Sequence, residues 1–157
     1  MQVEQMKTYR FAYGSSTVEF PLEEKNIIGE LHGNVVEPIS DIRRELWASL
    51  DAPIDSAPLC RRVTPGSTVA LVVSDMSRFW MRQDLVVPHL VDYLTQRCGV
   101  REDDITIVIA NGTHTGGDEA ELRTLVTDAV YDRITVENHN CDSDDLVYLG
   151  TTPHGTP

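Results

Sequence analysis

Two loops carry residue types able to do chemistry together. The first reads Ser74-Asp75-Met76-Ser77-Arg78-Phe79-Trp80 and follows an apolar run. Arginine can grip a carboxylate through two parallel hydrogen bonds. Asp75 could orient Arg78 or a neighbouring base; the plainer alternative is a helix-capping acid beside a solvated arginine. The second loop reads Ala110-Asn111-Gly112-Thr113-His114-Thr115-Gly116-Gly117 and follows another apolar run. Its glycines let the backbone turn sharply and approach a ligand. His114 stands just ahead of a helix start, where an imidazole can exchange protons near neutral pH or ligate a metal. Amides at that helix start also favour an anion. The plainer alternative is a turn histidine in a flexible loop. The glycines do not form GxGxxG, so no dinucleotide site is inferred.

His139 is a further candidate. It heads His139-Asn140-Cys141-Asp142-Ser143-Asp144-Asp145, which could hold a cation through carboxylates or form a solvated acidic turn. The run lacks the oxygen-ligand pattern of an EF-hand. His32, His89 and His154 have no such constellation around them.

The elements that must position these loops are legible as periodicities. Val69-Ala70-Leu71-Val72-Val73 and Ile105-Thr106-Ile107-Val108-Ile109-Ala110 are continuous apolar runs, as in strands covered on both faces. Ile134-Thr135-Val136 is a shorter third strand, and Leu146–Leu149 is a candidate fourth. A helix is expected from about Asp84 to Cys98, closed by Gly99, with Val87, Leu90, Val91 and Leu94 as its stripe. A second carries Leu122, Leu125, Val126 and Ala129, capped from Thr115 or Asp118. Strand, helix, strand, helix, strand is a βαβαβ unit, and right-handed crossovers make its strands parallel. Both loops then follow carboxyl ends of neighbouring strands, the edge where open α/β sheets bind ligands.

Ahead of this core, Tyr9–Tyr13 and Thr17–Phe20 flank Gly14-Ser15-Ser16 as a hairpin. Ser40 is an expected N-cap for a helix with Ile42, Leu46 and Leu50, and residues 51–66 read as a Pro-rich connector. The fold class expected is α/β: a Rossmann-like parallel sheet built from a βαβαβ unit, with a small N-terminal β element. The organisation expected is residues 1–66 as β element, helix and connector packed on a 67–157 core, one structural domain overall.

Composition bounds the partners. The chain has 157 residues, 13 Lys+Arg and 25 Asp+Glu, for a formal net charge of −12. That charge argues against nucleic acid and anionic membranes, which need clustered Lys/Arg. No apolar run approaches a membrane span, and the first twenty residues do not form a signal peptide. Cys60, Cys98 and Cys141 form no CxxC, which fits reduced thiols in the cytoplasm.

The ordered set of motifs resembles the N-terminal part of the nickel-dependent lactate racemase family. Tyr13-Gly14 lies in the opening β element. Val73-Ser74-Asp75-Met76-Ser77-Arg78 is similar to the family's Asp-x-Thr-Arg loop after a buried strand. Ala110-Asn111-Gly112-Thr113-His114 with Glu119 and Leu122 is similar to its Gly-x-His loop and following helix. His139 to Asp142, Leu149-Gly150-Thr151-Thr152 and Gly155-Thr156-Pro157 resemble the stretch beyond. The resemblance spans nearly the whole chain and half or less of a typical member.

The resemblance implies interconversion of 2-hydroxy-acid enantiomers by a nickel pincer nucleotide tethered to a lysine. It implies His114 and Asp75 as catalytic residues, base and supporting acid. It implies Arg78 as the substrate arginine; Gly112 and Thr113, from their place in the second loop, are taken as further substrate-binding residues, and His139, after the third strand, as a secondary candidate. Phe79 and Trp80 follow the arginine where the family has proline, and Thr115 follows the histidine where it often has arginine. These departures favour a relative acting on another hydroxy acid.

The family's cofactor lysine, second acid/base histidine and nickel histidine lie further downstream, and the only lysines here are Lys7 and Lys25. The expectation is therefore a truncated domain, inactive alone. It should hold no metal and no covalent cofactor itself, and work with the missing C-terminal part of a parent enzyme and a small 2-hydroxy-carboxylate substrate. The competing expectation is a non-catalytic module binding a small carboxylate or an ion. A receiver-like phosphoacceptor centred on Asp75 would need an acidic pair and a later lysine, and the sequence supplies neither.

Overall fold

A computed structural model describes residues 5–156; residues 1–4 and Pro157, the last residue of the resemblance, lie outside the described residues. The chain divides into two compact units, one ending at Pro38 and the other beginning at Ile39. The division precedes the 66/67 boundary drawn from sequence.

In the first unit, β1 (Met6–Tyr13) pairs antiparallel with β2 (Ser16–Glu23) in a register running from Met6↔Glu23 to Tyr13↔Ser16. A two-residue connection needs a primed turn. Gly14 supplies it at φ +58°. The expected hairpin is present, with both strands longer than their β-prone cores. Phe11 and Phe20 stack edge to face with centroids 5.8 Å apart. A 3-10 turn, Glu24–Asn26, follows.

In the second unit, β3 (Val69–Ser74), β4 (Ile105–Ala110) and β5 (Thr135–Asn138) form a parallel sheet in the order β3-β4-β5. The pairs Val73↔Ile109 and Ile109↔Asn138 align their carboxyl ends. The helices are α1 (Ile42–Asp51), α2 (Leu59–Arg62), α3 (Val87–Gln96), α4 (Glu119–Val126) and α5 (Asp128–Tyr131). The sheet and both crossovers match the fold class expected from sequence.

The strands are not covered on both faces as the apolar runs suggest. Ile105, Ile107, Ile109 and Val73 are buried, whereas Val72 is 63% exposed. Two right-handed crossovers taken in the same direction put α3 and α4 on one face of the sheet. That face holds the core: Val87, Val91, Tyr93 and Leu94 from α3, Leu122, Leu125 and Val126 from α4, and Val130 from α5. Trp47, Leu50, Leu59, Cys60 and Val63 pack against it from α1 and the connector. Trp47 meets Tyr93 edge to face at 5.6 Å, and its Nε1–H donates to the His89 carbonyl at 2.9 Å.

Several boundaries differ from expectation. Asp41, rather than Ser40, caps α1, its carboxylate accepting the Arg44 N–H at 2.9 Å. The connector contains α2. The helix expected from Asp84 starts as a 3-10 turn, Gln83–Leu85, and becomes α-helical at Val87, because Pro88 suits only a first turn. Leu146–Leu149 is not a strand: no described strand pairs with it, and Leu149 is 96% exposed. An apolar run without a partner for its backbone groups gains nothing from extension into a sheet.

Candidate functional site

Both candidate loops emerge at the carboxyl edge of the sheet. β3 ends at Ser74, an edge position, and the Gln83 side chain closes it off. Gln83 Oε1 accepts the Ser74 N–H at 3.1 Å and Gln83 Nε2 donates to the Ser74 carbonyl at 2.5 Å. Asp75 is therefore the first residue beyond a pinned strand end. A 3-10 segment, Met76–Met81, follows and carries Ser77 and Arg78.

The second loop leaves β4 through a turn in which the His114 N–H donates to the Asn111 carbonyl at 3.0 Å. Gly112 sits at φ +60° inside it, a conformation that favours glycine. The turn points the His114 ring back toward β3, and Nδ1 stands 2.6 Å from Asp75 Oδ2. The Ser77 hydroxyl donates to the other oxygen, Oδ1, at 2.6 Å. Ser77 and then His114 hold the Asp75 carboxyl below its ordinary range. An ionised Asp75 can only accept, so Nδ1 carries the proton and Nε2 of the neutral ring is left as an acceptor. The Asp75 side chain is 14% exposed and that of His114 is 57% exposed, so the acid lies beneath an accessible imidazole.

A cleft of about 310 Å³ is lined by Asp75, Ser77, Arg78, Asn111, Thr113 and His114, with Ser74, Ala110 and Gly112. All five catalytic and substrate-binding candidates thus line one cavity. The Arg78 guanidinium is exposed and, among the described residues, ion-pairs with no carboxylate; it donates only a long 3.5 Å contact to Ser77 Oγ. His139 does not line this cleft. Its main chain does the work instead: its N–H donates to the Ile109 carbonyl at 3.0 Å, and its carbonyl accepts from Asn111 Nδ2 at 3.1 Å.

Sequence reasoning missed Asn111 as a structural element of the site. It is 2% exposed, the one buried polar residue among the described residues. An amide residue directly after an apolar run and before a glycine is the available signal. Among the described residues no group of three or more His, Cys, Asp or Glu is arranged to hold a metal ion. The acidic run from His139 to Asp145 is no exception. The three cysteines are free, and burial pushes the Cys98 thiol up. No described helix is long and apolar enough to cross a membrane.

The fold and cleft define an α/β domain with a polar cavity across the carboxyl ends of β3 and β4. A family described as "Lactate racemase N-terminal domain" matches residues 13–157. The chain belongs to that family. It is similar in structure to the lactate racemase apoprotein from Thermoanaerobacterium thermosaccharolyticum, with a TM-score of 0.74 and 21% sequence identity. The match covers 95% of this chain and 34% of that one, so this chain spans about a third of its length. At that identity the likeness speaks for the fold. No curated protein matches the chain.

Proposed function

We propose that this chain supplies the substrate-binding and proton-transferring part of a 2-hydroxy-acid racemase or epimerase. The observation that carries the reading is the 2.6 Å His114–Asp75 pair in one cleft with Arg78, which ion-pairs with no carboxylate among the described residues. Family membership supports it. Arg78 receives the substrate carboxylate by paired hydrogen bonds. His114 Nε2 takes the proton of the 2-hydroxyl while Nδ1–H stays on Asp75. Asp75 fixes the tautomer and steadies the imidazolium that forms. The Gly112 backbone, without a side chain, lets Thr113 and the bound acid approach closely.

Loss of hydride from the hydroxyl-bearing carbon needs an electron sink, which in the family is the nickel pincer nucleotide. The residues described here do not fit that group. They offer no metal-holding cluster, and both lysines lie against glutamates, Lys7 on Glu30 and Lys25 on Glu23. No step through the cofactor is therefore assigned to this chain. The chain alone is expected to bind a 2-hydroxy acid and leave its configuration unchanged, which chiral chromatography after incubation with one lactate enantiomer would check.

Calorimetric titration with a panel of 2-hydroxy acids tests the binding. The expected result is saturable heat that Arg78→Ala weakens about tenfold or more, the scale of losing a charge-assisted pair. Heat that is indifferent to Arg78→Ala and His114→Ala overturns the assignment. Equal binding of carboxylates with and without the 2-hydroxyl would instead favour a non-catalytic carboxylate module.

A further inference from the structure

We infer that Asn138 is a positioning residue for His114, acting as an amide clamp that ties both ends of the 111–117 loop to the end of β5. The inference deepens the reading of the cleft and rests on it for the importance of His114. How His114 is held is a separate matter and can be measured separately.

The problem it solves is conformational. The loop from Asn111 to Gly117 has glycine at 112, 116 and 117. Such a chain loses much freedom when ordered. His114 sits at its centre, yet its ring stands within hydrogen-bond distance of the Asp75 carboxylate, just beyond the end of β3. One exposed contact to Asp75 is a weak means of ordering seven residues, so the loop needs ties at its ends.

Asn138 provides them, with one side chain. Its Oδ1 accepts from Asn111 Nδ2 at 3.0 Å, where the loop begins. The same oxygen accepts the Gly117 N–H at 3.2 Å, where the loop ends. Its Nδ2 donates to the Gly117 carbonyl at 2.8 Å. Asn111 Nδ2 has a second acceptor in the His139 carbonyl, which fixes the orientation of that amide. Rotating it would set its carbonyl oxygen against two acceptors. The consequence is visible: Asn111 Oδ1 is buried with no hydrogen-bond partner among the described residues, so the amide is oriented by its donor side.

Gly116 is an independent witness. A Cβ there would lie 2.8 Å from Asn138 Cγ, closer than real contacts allow. The backbone passes against the Asn138 amide only because residue 116 has no side chain. The tie runs from the end of β5 to the loop after β4, so the third strand contributes to the site without lining the cleft.

Nuclear magnetic resonance of the 157-residue chain tests the clamp without any ligand. In the unmodified protein the His114 Nδ1–H and the Gly117 amide are expected to be protected from solvent exchange. Asn138→Ala should lose the hydrogen-bonded His114 Nδ1–H resonance, or speed its exchange about tenfold, while sheet amides such as Ile107 keep their protection. Asn138→Asp keeps the acceptor but not the donor, and should fall between. Gly116→Ala, which leaves Asn138 in place, should reproduce the loss. An unchanged His114 signal in Asn138→Ala overturns the inference. If that variant fails to fold, Asn138→Asp decides by the same signal. A Gly117 amide exchanging at free-peptide rate in the unmodified chain overturns it as well. Failure to bind a hydroxy acid would sink the proposed function and leave these signals as they are.

Discussion

At the scale of single residues, the chemistry turns on which group holds which proton. Asp75 receives the Ser77 hydroxyl and the His114 ring, and both favour its ionised form. A carboxyl whose folded value is depressed contributes stability fully above its unfolded value, about 3.9. That contribution is lost as pH falls through the lower folded value. The His114–Asp75 contact should therefore persist at pH 4 and break at more acid pH. The carboxyl carbon shift of Asp75, followed by titration, should show a midpoint under about 3.9. A midpoint above that value would mean the contact does not favour the ionised acid. The pairing itself was only half legible. Spacing put Asp75 and His114 on the same edge, because each follows a buried run. The approach of Nδ1 to Oδ2 depends on the Gly112 turn. The role of Asn138 depends on β5 lying beside β4, which no local pattern around Asn138 reveals.

At the scale of elements, α4 is where local signals and tertiary packing meet. Asp118 accepts the Glu121 N–H at 2.9 Å, as one of the two expected caps. Asp118→Ala should cost about 1 kcal/mol, the usual value of an N-cap, read as a lower urea midpoint at unchanged slope. Leu125 is 1% exposed on the inner face of the same helix, so Leu125→Ala should cost about 2–5 kcal/mol through lost burial and a residual cavity. A Leu125→Ala cost no larger than that of the cap would mean that the α4 face is not part of the core. The stripe of Leu122, Leu125 and Val126 was readable because burial on one face imposes a 3.6-residue period. The break after Val126 was not. Thr127 takes φ +77°, which composition does not announce for a β-branched residue, and Ala129 lands in the separate turn of α5. The apolar runs of β3 and β4 were readable as strands, but not as one-sided ones. Which face is covered depends on the direction of the crossovers, a property of the topology.

At the scale of the whole molecule, the distribution of buried surface decides which part carries the stability. Every buried apolar side chain among the described residues lies between Val73 and Ile134, and its half-buried partners begin at Trp47. Residues 5–38 bury none: Phe11, Phe20, Leu22, Ile28 and Leu31 are all exposed. Because folding is driven mainly by removing apolar surface from water, the cooperative unit is the one that begins at Ile39. A chain of residues 39–157 should therefore melt cooperatively within about 2–4 °C of the full chain, the shift that about 1 kcal/mol produces at this size. A peptide of residues 1–38 should show no cooperative transition, since an isolated two-stranded hairpin is marginal in water. Circular dichroism melts of the three chains check both statements. Loss of cooperative melting in the 39–157 chain would mean that the hairpin unit is required for the core, as a single structural domain demands. Retained melting with an unchanged His114 Nδ1–H signal would locate the positioning of the cleft, like the stability, wholly within the sheet unit.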